Sequence, residues 1–359
     1  MGLATRSSAP RTVVAWISLL AVITSCGGGK QEREEVLTAS LTVARQFGDS
    51  LSWAFPYVSR VVGSQLVVSD RSAASYFTVV DLESGRLTTF GRTGAGPEEY
   101  KEVTALLPAE PDQRAVWAFD QANRRFSLLA LDDSAPGRIL EQFPYNPPEF
   151  VFYPVFVGDR VVGGGPLLNA VLIVTDRAGA LISRTVVDPP FTQAQLGNPS
   201  IVRMANSARL AFRPGAGDVA LAYGFASRVD LFTPDAAHRK TILPSARPVR
   251  LSYDVDASGV AHSNPDNEKA YQAAYGTPRF IYAVFCGCTR QEYTDGLKPK
   301  VVQVWTWDGR LVATLTLDRP IVSLSVSDDD TRLFGLAWNP EPAVLEWMLP
   351  NDLAGRGRD

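Results

Sequence analysis

The fold this sequence predicts is all-β: a six-bladed β-propeller of four-stranded antiparallel blades, the last blade closed by the N-terminal strand. Three observations predict it. From Val301 to Asp318 the chain reads VVQVWTWDGRLVATLTLD, alternating side chains on both sides of Asp308-Gly309. Period-two alternation puts one side-chain set on each face of a sheet, and Asp-Gly tolerates the positive φ of a tight two-residue turn. The same strand, turn, strand pattern recurs upstream around Gly85, Gly137, Gly179 and Asp235. Its spacing is close to the ~40–50 residues of a propeller blade, and only the last interval, from Asp235 to Gly309, needs an insertion. Composition agrees: 45% hydrophobic residues with 28 Gly and 25 Pro supply strands and turns, and long helices are nearly absent.

Taken from the N-terminus, residues 1–25 read as an export signal. Arg6 and Arg11 form a positive n-region, and the apolar run from Thr12 to Thr24 suits an h-region but falls short of the ~20 residues of a membrane span. Ile23-Thr24-Ser25-Cys26 then places an aliphatic residue and two small ones before a cysteine, which resembles the bacterial lipobox. That resemblance implies a diacylglycerol thioether at Cys26 and a lipoprotein held to a membrane of the bacterial cell envelope, outer-membrane or periplasm-facing. Residues 26–35 are the lipidated cysteine and a polar tether, GGGKQEREE, whose composition cannot bury a core.

The propeller is expected over 36–350. Val36 to Gln46 reads as a lone strand, whereas 321–348 supplies three strands without a fourth. Pairing Val36–Gln46 with Ala343–Met348 completes the last blade and leaves no open edge. The six blades fall near 51–90, 101–143, 149–188, 199–243, 249–318 and 320–348. Seven are allowed if 249–318 holds two short ones. Asn264 to Tyr275, NPDNEKAYQAAY, reads as a short helix inserted in blade five, and 351–359 as a polar tail.

The connector Gly91 to Tyr100, GRTGAGPEEY, the segment RFIYAVFCG at Arg279 to Gly287 and the hairpin at 301–318 resemble bacterial six-bladed propeller lipoproteins of the TolB-like or NHL-like group. The likeness spans essentially the whole chain and departs at Glu98, where that group has Gly. It implies the propeller fold and an envelope location, and says little about a ligand.

In such blades the loops joining second to third strands gather on one face. There the sequence puts Arg71, Asp120, Arg124, Tyr223, Arg228, Arg290, Trp338 and Asn339. Loops on a rigid scaffold commonly carry function. The four arginines, interleaved with aromatics, suit a carboxylate, a sulfate or an acidic glycan; the alternative is that each pairs with a local Asp or Glu. Cys286-Gly287-Cys288 reads as a local disulfide or two unpaired thiols, since an oxidising envelope permits the bridge.

Signals for catalysis are sparse. His238 and His262 stand outside any H-x-x-x-H pattern, and there is neither a G-x-S-x-G elbow nor a phosphate loop. Ser327 to Asp330, SDDD, reads as a solvated turn. No cofactor is expected. The formal charge is −3, more acidic once Arg6 and Arg11 leave with the leader, and no basic cluster tracks a phosphate backbone, so nucleic acid is not an expected partner. The expected function is a membrane-anchored binding module that recognises an envelope protein, a peptide or a glycan through its loop face. The alternative is an NHL-like enzyme, a lyase or lactone hydrolase with a divalent metal in the central channel, for which Asp254 and Asp256 are the available carboxylates.

Overall fold

The computed structural model describes residues 35–357 except 50–51, 72, 111–112, 133, 168, 193–195, 245–250 and 256–260. The export signal, Cys26 and Asp256 lie outside the described residues. Six innermost strands, Pro56–Val62, Val103–Pro108, Tyr153–Val157, Ala208–Phe212, Glu268–Gly276 and Ser323–Val326, each lead a separate sheet whose first four strands are antiparallel, and each packs against the next around a common axis. Blades one to four are each one continuous run of four strands, ending at Leu87–Phe90, Ile139–Pro144, Leu181–Thr185 and His238–Ile242. Hydrophobic clusters fill the spaces between blades rather than a single centre. One, built on Phe119, Phe126 and Tyr145, runs across blades two to four, and another, built on Tyr282, Leu315 and Trp347, joins blades five and six.

The N-terminal segment closes the ring in two pieces rather than one. Arg45–Phe47 pairs antiparallel with Ala343–Met348 as the outermost strand of blade six, as the sequence led one to expect. Leu37–Leu41 instead runs parallel to Leu311–Leu317 and becomes a fifth strand on blade five. Asp318 fixes the crossing between them: its carboxylate accepts the Val43 N–H at 3.0 and 3.2 Å and the Trp347 indole N–H at 2.9 Å. In the unpaired stretch between the two strands the N–H groups of Val43 and Ala44 thus have partners, the second in the Glu346 carbonyl at 2.8 Å.

Residues 264–275 are not helical. Glu268–Gly276 is the innermost strand of blade five, with Tyr271, Ala273 and Tyr275 buried in period two. Helix propensity of Glu, Lys, Gln and Ala is worth tenths of a kcal/mol per residue (~0–0.7), and the ring requires a strand between blades four and six. Gly276 is part of that fit, since a Cβ there would lie 2.1 Å from the Phe212 carbonyl oxygen of blade four. The true insertion is the hairpin of Tyr253–Val255 with Ala261–Ser263. Buried Asn267 ties it to blade five, donating to the Ser252 carbonyl and the Ser263 hydroxyl, both at 2.8 Å.

The turn at Asp308-Gly309 is longer than two residues. Only Gly309 takes positive φ (+87°), and the loop closes between Thr306 and Arg310, with the Thr306 hydroxyl donating to the Asp308 carboxylate. Glu98 is compatible with its connector because its φ is not positive. A helix at Pro199–Ala205, capped by Asn198, leads into blade four. The tail is docked rather than free: Leu353–Gly357 forms a 3-10 turn, and Leu353 is buried in the cluster joining blades five and six. Asp330 is likewise no solvated turn residue. It is buried beneath Arg279 and Tyr282, both 2.8 Å away, and burial raises its carboxyl pKa.

Candidate binding site

The innermost strands all begin at the face where the loops between second and third strands emerge, so that face is the mouth of the central channel. The structure distributes the loop residues picked out by sequence among four environments. Asp120 is fully buried and accepts the Lys101 and Glu102 N–H groups at 2.9 and 3.0 Å, as Asp70 does for Ala54 and Phe55 in blade one. Both carboxylates anchor the segment that enters their own blade. Tyr223 and Arg228 turn into blade four, where both engage buried Asp230. Arg124 and Asn339 are exposed on separate loops, and Arg290 is exposed at the start of a short helix with its guanidinium donating to the Ser263 carbonyl. Arg71 and Trp338 remain, and these two stand at the channel mouth.

Trp338 stacks on Phe55 at 4.4 Å, Phe55 lies near-parallel to Tyr57 at 6.3 Å, and the Arg71 guanidinium rests 3.4 Å from the centre of the Tyr57 ring. The Trp338 indole N–H donates to the Pro56 carbonyl at 2.7 Å, fixing one end of the stack. Below this rim a cavity of about 140 Å³ is bounded by residues from all six innermost strands.

Two more arginine–tyrosine pairs line the channel, the first at the mouth end of its strands and the second deeper. Arg209 of blade four lies 5.6 Å from the Tyr153 ring of blade three, and Arg60 of blade one reaches across to the Tyr275 ring of blade five at 5.2 Å. A guanidinium over an aromatic face gains electrostatic attraction, ~2 kcal/mol or more once desolvated. The pairs hold three cations around one channel. Among the described residues a single carboxylate answers them, Glu102, 3.5 Å from Arg71 Nη1. The Nε and Nη2 of Arg71 and the Nε of Arg60 are buried with no hydrogen-bond partner. Burial pushes the hydroxyls of Tyr153 and Tyr275 up in pKa, while Arg209 and Arg60 respectively pull them back. Beside the mouth, Lys269 lies 4.0 Å from the Tyr293 ring, and desolvation together with Arg209, Lys298 and Arg290 lowers its pKa to about 8. The channel is therefore cationic in a chain of net negative charge, and its walls offer guanidinium and phenol donors to an acid group.

Sequence reasoning missed Arg60, Arg209, Tyr57, Tyr153 and Tyr275. The available signal was a charged residue in the middle of an apolar strand, as in PYVSRVV around Arg60 and ARLAF around Arg209. Tyr275 was masked by the helical reading of its strand.

Cys286 and Cys288 are joined by a disulfide, with Cα atoms 5.1 Å apart, just before the short helix Arg290–Thr294. Asp254 sits on the inserted hairpin and not on an innermost strand. Among the described residues no three His, Cys, Asp or Glu side chains cluster as metal ligands, and no helix is long and apolar enough to cross a membrane.

The family model described as TolB-like 6-blade propeller-like matches residues 34–329. No curated protein sequence matches the chain. Among solved structures, a putative exported protein from Bacteroides fragilis aligns at 11% identity with a TM-score of 0.54, covering 88% of this chain and 99% of its own. The β-propeller domain of Cps50 (Swd1) from Myceliophteria thermophila aligns at 10% identity with a TM-score of 0.47, covering 86% and 100%.

Proposed function

The chain belongs to the TolB-like family of six-bladed propellers, and from that footing we propose that it is a binding module of the bacterial cell envelope that takes an anionic ligand in its central channel. The observation that supports this reading most is the set of three channel arginines, each laid on a tyrosine, with one carboxylate among the described residues for all three. Buried cations lacking hydrogen-bond partners are costly, and a carboxylate, sulfate or acid-bearing glycan or peptide that enters the channel relieves that cost through charge-assisted bonds. An NHL-like metal enzyme would instead need carboxylates or imidazoles turned inward, and the channel arginines disfavour a divalent cation.

The expected result is a rise in melting temperature with small organic acids, sulfate or acidic oligosaccharides. Saturation at a hundred times Kd adds about 2.7 kcal/mol of stability. Arg71→Ala combined with Arg209→Ala abolishes that rise while leaving the ligand-free melting temperature nearly unchanged. Failure of every anion to shift the wild-type protein would overturn the reading.

The anchor belongs to the same proposal. Acyl chains contribute ~0.8 kcal/mol per buried methylene, so a lipidated Cys26 followed by the polar tether holds the propeller at a membrane surface. Cys26→Ser is expected to move the protein from the membrane to the soluble fraction of fractionated cells. Unchanged membrane retention would remove the lipoprotein assignment.

A further inference from the structure

The three cations occupy two depths. Tyr57, under Arg71, and Arg60 lie three residues apart on the innermost strand of blade one. The innermost strand of blade five repeats that step: Arg209 Nε donates to the Gln272 carbonyl at 2.8 Å, and Tyr275, against Arg60, comes three residues later. At ~3.3 Å per residue, this three-residue step separates the mouth level of the strand backbones from the deep level by about 10 Å. Ala105, Val155, Ala273 and Leu324 contribute apolar wall to the same cavity. Arg60 is only 7% exposed, and neither an ion-pair nor a hydrogen-bond partner engages its guanidinium among the described residues.

We infer that the channel accepts an elongated dianion: a linear molecule with an acid group at each end and an apolar spacer between, one acid held by Arg71 and Arg209 at the mouth and the other by Arg60 at depth. The inference rests on the anion-binding reading above and adds the ligand's shape and charge spacing. A single acid satisfies only one depth. A compact polyanion satisfies the mouth and leaves Arg60 uncompensated. A spacer of matching length satisfies both while placing methylenes against apolar walls, where each buried area of hydrocarbon adds to affinity.

The test is calorimetric titration of the protein with succinate, adipate, suberate and sebacate, and with octanoate as the one-acid reference. Affinity is expected to climb from succinate to a maximum at suberate, roughly tenfold tighter than octanoate, which is the gain of one charge-assisted contact. Arg60→Gln should bring the ratio of suberate to octanoate affinity, both measured on the same variant, down to about one, with Arg60→Met as a second variant and a melting curve on each to verify folding. A series with no length dependence, or a suberate advantage that survives both substitutions, overturns the dianion inference while the anion-binding reading stands. Absence of binding by every acid, octanoate included, overturns both.

Discussion

Phe47→Ala is expected to destabilise the protein by about 3–5 kcal/mol, in the range of large-to-small changes at fully buried aromatic sites. Phe47 is 1% exposed on the strand that completes blade six, with Phe334 of the same blade 6.3 Å away and the Arg45 guanidinium 4.6 Å over its ring. Its carbonyl also accepts the Trp53 indole N–H at 2.8 Å, so the residue ties the closing strand to the segment that enters blade one. A cavity here does more than lose contacts. It loosens the strand whose departure would expose the edge of Ala343–Met348, and a ring has no terminal blade to absorb an open edge. Urea unfolding of Phe47→Ala against Val36→Ala, a residue exposed just outside the first strand, measures the difference. Comparable midpoints for the two variants would mean that this strand does not close the ring.

Why this closure was legible while the channel was not has a physical cause. Strand, turn, strand repeats are local, and period-two alternation survives in one sequence, so blades around Gly85, Gly137, Gly179 and Gly309 were readable in order. Closure followed from counting: blade six was short by one strand, and the chain had an unpartnered one at its start. The parallel strand Leu37–Leu41 was not readable, because nothing local distinguishes a strand that adds to blade five from one that adds to blade six. Asp318 makes that distinction, and it lies at the opposite end of the chain. The site was harder still. Loop positions are inferred from topology, which put Arg71 and Trp338 at the right face, but topology does not say which way a loop side chain turns. Cross-channel pairs such as Arg60 with Tyr275 join strands of different blades, so they have no signature in either segment alone.

Arg228 shows what that difference of direction means energetically. Read from the loop it is a ligand-binding candidate; in the structure it is part of the interior of blade four, and Arg228→Ala is expected to cost about 3–5 kcal/mol. Its Nε lies 2.9 Å from Asp230 Oδ1, its Nη2 2.9 Å from Oδ2, and its Nη1 donates to the Asp188 carbonyl at 2.8 Å. Asp230 is wholly buried, with Tyr223 and Thr241 donating to it at 2.8 and 2.7 Å. Those two hydroxyls remain in the variant, and so does the His238 imidazole 3.8 Å away, but no permanent cation is left beside the solvent-excluded carboxylate, and that poorly compensated charge is the main cost. The pair itself contributes far less, since desolvating both ions offsets most of their attraction. Arg228→Met combined with Asp230→Leu should therefore recover much of the stability lost by Arg228→Ala, a non-additivity that a double-mutant cycle reads directly. Arg71→Ala, by contrast, leaves behind only Glu102, which is 39% exposed and solvated, so its stability loss should be small although its effect on anion binding is large. Equal stability losses at Arg71 and Arg228 would contradict the assignment of one to the ligand and the other to the fold.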